Sequence, residues 1–224
     1  MKVIPLTVVD NFFDNPDAVR KWALSLDYEQ QGQNRWPGLR TEYLHEIDEN
    51  FFSQTCQKVL SLFVSEDLLS KSVHYITRMH FQLIPANKYT GGWVHIDGKE
   101  VLTAIVYLSP NGGLDNGTSL YKLKNNLVSF DSKHNLKKNY NSLGSEEEAE
   151  EARMKNNDQF VETARVGGIY NRLMVFDATE YHSVEDYNLG NDEDRLTLIM
   201  FFEKVNFVDL TPIARMKRAA GETL

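Results

Sequence analysis

The sequence predicts a mainly β fold, a sandwich or small barrel with two helices set in front of it. Three observations carry this. Helical spacing of apolar residues is confined to the chain ahead of residue 65. From Val73 onward the hydrophobic period is two. The rest is a series of short β-branched and aromatic runs, divided by turns such as Pro110-Asn111-Gly112-Gly113, Asp115-Asn116-Gly117 and Gly167-Gly168.

Residues 3–9 read as an edge strand, with Pro5 near its start. Asn15 then caps a helix of about residues 16–26. Pro16 stands at its first position, where a missing N–H costs nothing, and Val19, Trp22, Ala23 and Leu26 form its buried stripe. After a polar stretch and a turn at Pro37-Gly38, a second helix spans about residues 49–64. It is capped by Asp48 or Asn50 and buries Phe51, Phe52, Cys56, Val59, Leu60 and Phe63.

Residues 73–84 alternate. Tyr75, Thr77, Met79, Phe81 and Leu83 share one face; His74, Ile76, Arg78, His80, Gln82 and Ile84 share the other, which is either a solvated sheet face or a polar pocket wall. Residues 101–109 are a buried strand, because the run is almost continuously apolar. Residues 118–121, 127–131, 160–166 and 172–177 follow as strands. An insertion at 131–158 breaks the pattern with a basic stretch and an exposed helix of about residues 146–156, opened by a capping-box pair, Ser145 and Glu148. Such an insert is either a lid or a solvated decoration. The polar loop 185–194 reverses the chain into an antiparallel neighbour beginning at Arg195, and Thr211-Pro212 opens a short basic helix in the tail. The chain reads as one domain: supporting helices in 1–72, a β core in 73–205, and a tail in 206–224.

Composition limits the function classes. The chain has 224 residues and a formal net charge of −8, which argues against nucleic acid as a partner, since phosphate binding needs clustered Lys and Arg. No run of about 18 apolar residues marks a membrane span. The lone Cys56 cannot form an internal disulfide and fits a reducing cytoplasm, the expected location.

The chemistry concentrates in Val94-His95-Ile96-Asp97. In extended chain, residues two apart share a face, so His95 and Asp97 can reach one ion. His182 closes a later apolar run and supplies a third ligand. Two histidines and one carboxylate are the facial triad of non-haem Fe(II) oxygenases, which leaves metal positions open. Arg195 follows His182 by thirteen positions, and Thr197 shares its face. A planar guanidinium pairs bidentately with a carboxylate, so Arg195 is the expected anchor of a dicarboxylate co-substrate, with Arg78 and Arg172 next in line. Tyr107 lies on one strand face with Thr103 and Ile105, where its hydroxyl either bonds the keto acid or completes the core.

These pieces together resemble the Fe(II)/2-oxoglutarate-dependent oxygenases, in particular their prolyl-4-hydroxylase-like group. They are Tyr89-x-Gly-Gly-x-x-His95-x-Asp97, Val106-Tyr107-Leu108-Ser109, Gly117-Thr118 leading to Tyr121, Leu173-Met174-Val175-Phe176-Asp177 before His182-Ser183-Val184, and Arg195-Leu196-Thr197. The front, Asp10-Asn11-Phe12-Phe13-x-Asn15-Pro16, is also similar to that of a group of small uncharacterised bacterial and phage proteins. The resemblance implies a double-stranded β-helix (jelly-roll, cupin-like) core. It implies His95, Asp97 and His182 as Fe(II) ligands, and Arg195, with Thr197 and Tyr107, as the 2-oxoglutarate site. It also implies O₂-dependent hydroxylation of a C–H bond in a peptidyl or small-molecule substrate. The chain departs from the group at Asp115-Asn116-Gly117-Thr118, where a Gly-Gly-Glu-Thr stretch is usual, and in the insertion. Two other readings stand beside it: a zinc-type metallohydrolase, because such a ligand set also activates water, and a non-catalytic β-barrel that binds a small acid.

Overall fold

The computed structural model describes residues 6–30, 37–63, 73–124, 146–190 and 192–207. The expected strand at 127–131, the Ser145 cap and the tail helix lie outside these residues. Nine strands and four helices are described: β1 (Thr7–Val9), α1 (Pro16–Ala23), β2 (Leu39–Arg40), α2 (Leu44–Ile47), α3 (Glu49–Leu60), β3 (Val73–Ile84), β4 (Leu102–Tyr107), β5 (Thr118–Leu123), α4 (Glu146–Asn157), β6 (Phe160–Val166), β7 (Leu173–Asp177), β8 (Tyr181–Ser183) and β9 (Arg195–Phe207).

The strands form two antiparallel sheets, a larger one in the order β1-β7-β4-β9-β3-β2 and a smaller one in the order β6-β5-β8. The architecture is a double-stranded β-helix. Its inner faces meet through Ile105, Tyr107, Leu120, Val166, Met174 and Phe176. The outer face of the larger sheet presents Ala104, Val106, Leu198 and Met200 to Ala23, Leu44, Cys56 and Leu60 of the helices. The larger sheet is therefore covered on both sides, which explains why β4 and β9 read as continuous apolar chain rather than as alternation. Cys56 is fully buried in this layer, and burial pushes its thiol up to about 12. Among the described residues no helix is long and apolar enough to cross a membrane.

Several expectations are refined. Asn15 caps α1, its side chain accepting from the Ala18 N–H at 3.1 Å. The helix stops at Ala23, short of the expected 26, because Ser25 and Leu26 make tighter bonds to Trp22 and Ala23, and the Tyr28 hydroxyl donates to the Ala23 carbonyl. Asp48, not Asn50, caps α3. That helix ends at Leu60, where the Ser61 hydroxyl takes the Lys58 carbonyl. On β3 both readings of the mixed face hold, in different halves. Ile76 is exposed, whereas His80, Gln82 and Ile84 are buried, and a bulge at Ile76/Thr77 separates the halves.

The loop 185–194 requires a correction. It does not join neighbouring strands: β8 pairs with β5 in the smaller sheet, while β9 pairs with β3 and β4 in the larger. The loop carries the chain between sheets and is laced to the loop 85–92. The Ala86 N–H donates to Asp194, the Asn87 N–H to Asn188, and the Tyr187 N–H to the Thr90 carbonyl.

Candidate metal centre

The site is built where the two sheets diverge. His95 and His182 exchange both backbone hydrogen bonds, at 3.1 and 2.8 Å, as directly opposed residues of an antiparallel bridge. Their rings lie 4.4 Å apart between centroids. The Asp97 N–H donates to the Ala178 carbonyl at 3.1 Å, which turns the carboxylate back toward both rings. His95 Nε2 stands 3.7 Å from Asp97 Oδ1, and His182 Nε2 stands 3.5 Å from Asp97 Oδ2. One ligand atom from each of the three residues lies within 4.8 Å of the others. Two donors about 2.1 Å from a shared ion sit roughly 3–3.6 Å apart, so the spacing suits a metal with small adjustment.

The surroundings fix the donor states. His95 Nδ1 is 2.7 Å from the Trp93 carbonyl, and His182 Nδ1 is 3.0 Å from the Glu180 carbonyl. A carbonyl only accepts, so each Nδ1 carries the proton and each Nε2 presents its lone pair to the centre. Asp97, 7% exposed, accepts a hydrogen bond from the Thr103 hydroxyl at 2.6 Å. Thr103 thus orients the carboxylate of the candidate centre. Thr103→Val, equal in shape but without the donor, should weaken metal binding about tenfold or more in a chelator competition, while the circular dichroism spectrum stays unchanged.

The loop bearing His95 is held from outside by α4. The Asn156 amide donates to the Val94 carbonyl at 3.1 Å; Asn157 accepts from the Val94 N–H and donates to the Gly92 carbonyl, both at 2.9 Å. Asn156 is 1% exposed. The end of the helix is a clamp on the loop that bears His95, not a solvated decoration.

A cavity opens beside His95, Asp97 and His182, lined also by Arg40, Gln82, Trp93, Thr118, Tyr187 and Phe201. Arg195, Tyr107 and Thr197 do not line it directly. They lie against its wall. The Tyr107 hydroxyl donates to Thr118 Oγ1 at 2.8 Å, and the Arg195 guanidinium sits 5.7 Å from both the Tyr107 and Tyr187 ring centroids. Arg195, 4% exposed, donates from Nε and Nη2 to the Asn116 carbonyl, each at 3.1 Å. Burial pulls its pKa down, yet a guanidinium stays protonated. Thr197 is 1% exposed, and its hydroxyl has no hydrogen-bond partner. The reserve arginines are committed elsewhere: Arg78 pairs with Glu100 and Glu203, and Arg172 with Asp10.

Sequence reasoning missed Arg40, which is 7% exposed on a two-residue strand and lines the cavity itself. Burial pushes it down to about 10, against the opposing pull of the Asp97 carboxylate. The one signal available was the Pro37-Gly38 turn ahead of it.

Residues 2–202 match the family described as "Family of unknown function (DUF6445)". No curated protein matches the chain by sequence. The fold is similar to that of SnoN, the non-heme alpha ketoglutarate dependent epimerase from nogalamycin biosynthesis (TM-score 0.54, 13% identity, covering 88% of this chain and 77% of that one). It is also similar to that of HygX from Streptomyces hygroscopicus, solved with nickel and 2-oxoglutarate bound (TM-score 0.53, 12% identity, 88% and 82%). At such identities the likeness establishes the fold.

Proposed function

The chain belongs to the DUF6445 family, and for this member we propose an Fe(II)- and 2-oxoglutarate-dependent oxygenase that hydroxylates a C–H bond of a small-molecule or peptidyl substrate. One observation carries the reading. Two histidines, each with Nε2 turned toward one buried carboxylate, converge at the head of a cavity, and a buried arginine stands against its wall. That donor set, neutral imidazoles with a hard oxygen, suits Fe(II) and leaves positions for other ligands.

His95, Asp97 and His182 would hold the iron, and Thr103 would keep Asp97 in place. When bound, iron with 2-oxoglutarate and O₂ supplies the oxidising chemistry. Arg195 would pair with the far carboxylate of the keto acid, exchanging the single Asn116 carbonyl for a charged partner. Thr197 brings a hydroxyl with no other partner, and Tyr107 directs Thr118 into the cavity. Tyr187 and Trp93 shield the centre from water. That SnoN is an epimerase suits an architecture that hosts more than one oxidative outcome.

The test is an anaerobic titration. Fe(II) and 2-oxoglutarate added together should produce a weak visible charge-transfer band that Zn(II) does not. A protein that binds Zn(II) tightly, shows no such band and hydrolyses esters or amides would replace the oxygenase with a metallohydrolase.

A further inference from the structure

One buried imidazole at the foot of the cavity serves neither the metal nor the keto acid. On the inner face of the larger sheet, Thr103, Ile105 and Tyr107 of β4 pair with Phe201, Ile199 and Thr197 of β9, and these pair with Arg78, His80 and Gln82 of β3. His80 is 1% exposed, and neither of its ring nitrogens has a hydrogen-bond partner. Its neighbours are rings and cations. Phe201 lies 5.9 Å and Tyr43 6.3 Å away between centroids, and Arg40 and Arg78 stand near enough to act on its charge. A buried polar group left unpaired destabilises the fold, so each such group calls for a use. An apolar ring would fill the same place without that cost.

Position says which part of the molecule His80 serves. Ile199, directly opposite it on β9, lines the cavity, as do Phe201 and, two residues along β3, Gln82. His80 stands one layer beneath them. The chemistry of the ring narrows the ligand. Burial first, then Arg40 and Arg78, hold the imidazole well below its ordinary range, so it is neutral near neutral pH. A neutral imidazole has one N–H and one lone pair. A hydroxyl both donates and accepts, so it complements either nitrogen in either tautomer. An ammonium only donates and is repelled by the two guanidiniums; a carboxylate only accepts and is drawn to them rather than to a neutral ring. The wall above is largely aromatic and apolar: Tyr89, Trp93, Ile105, Ile199 and Phe201.

We infer that His80 recognises the substrate to be oxidised, and that this substrate is an uncharged compound whose aromatic body carries a hydroxyl. The Phe201 ring turns aside as the substrate enters, and the hydroxyl meets a nitrogen of His80. The inference rests on the oxygenase reading.

The test uses the full chain loaded with Ni(II) and 2-oxoglutarate, titrated calorimetrically with N-acetyltyrosinamide and N-acetylphenylalaninamide, which differ by one hydroxyl. The parent should bind the phenol about tenfold or more tighter. His80→Phe keeps a ring and removes both nitrogens. It should bind the two amides within about twofold of each other, hold 2-oxoglutarate within about threefold of the parent, and unfold at no lower temperature, because two unpaired atoms are gone. His80→Leu makes the same test with a smaller side chain, and His80→Gln, which keeps a donor and an acceptor, should retain part of the preference. Equal binding of the two amides by the parent, or binding of neither, overturns the proposal without any variant. So does a folded His80→Phe or His80→Leu protein that keeps the preference. Marked loss of stability in both apolar variants overturns it too, because the imidazole would then serve the fold. A parent that fails to bind 2-oxoglutarate refutes the oxygenase reading itself, a separate failure seen before either amide is added.

Discussion

Asp97→Asn should bind no measurable iron(II) and turn over no 2-oxoglutarate, while unfolding within a few degrees of the parent. The substitution preserves shape and the acceptor for Thr103, whose hydroxyl lies 2.6 Å from Oδ2. It removes only the charge that a divalent ion needs. Losing an outer-shell partner of a metal ligand costs about 10- to 100-fold in affinity, so losing the ligand's charge should exceed that. His182→Ala should match it, because no other described imidazole stands within reach of the centre. The fold should survive, since the bridge between His95 and His182 is made by backbone groups. Equilibrium dialysis with iron analysis measures occupancy directly. Full occupancy in His182→Ala would falsify the assignment of the centre, and a collapsed Asp97→Asn would mean that the carboxylate serves the fold first.

That these three residues meet was readable because each lies in a short extended stretch, where the period of two dictates which side chains share a face. His95 and Asp97 satisfy this locally. His182 required the chain order of strands, and the bridge His95↔His182 supplies the physical link. Arg40 was hidden for the opposite reason. β2 has two residues, too few for any period to emerge. Its register comes from Gly38, whose φ of +76° and close approach to the Leu83 carbonyl, where any side chain would clash, press the turn against β3. A Pro-Gly pair announces a turn but not what the turn packs on. The helix α4 misled in a third way. Its glutamates gave it an exposed face, yet the two asparagines at its end carry its docking contacts to Gly92 and Val94. Composition describes the solvent side of a helix, whereas a clamp of amide groups on backbone leaves no hydrophobic trace.

Arg195→Ala should retain iron and lose 2-oxoglutarate. The guanidinium bonds the Asn116 carbonyl and packs on the Tyr107 and Tyr187 rings, away from His95, Asp97 and His182. With the keto acid bound, removing the arginine strands a buried carboxylate, at a cost of about 3–5 kcal/mol. That corresponds to a loss of about a hundredfold or more in affinity. Arg195 is buried, so solvent screens this cost little. Arg195→Lys should recover only part, because an ammonium has neither the planar fork nor the flat face that packs between two tyrosines. The measurement is a titration of 2-oxoglutarate into iron-loaded variants without oxygen, with iron content determined in parallel. Loss of iron together with the keto acid would make Arg195 a support of the 113–118 turn through Asn116 rather than an anchor. Parent-like binding of 2-oxoglutarate in Arg195→Ala, with loss in Arg40→Gln, would move the anchor to Arg40, which lines the cavity itself.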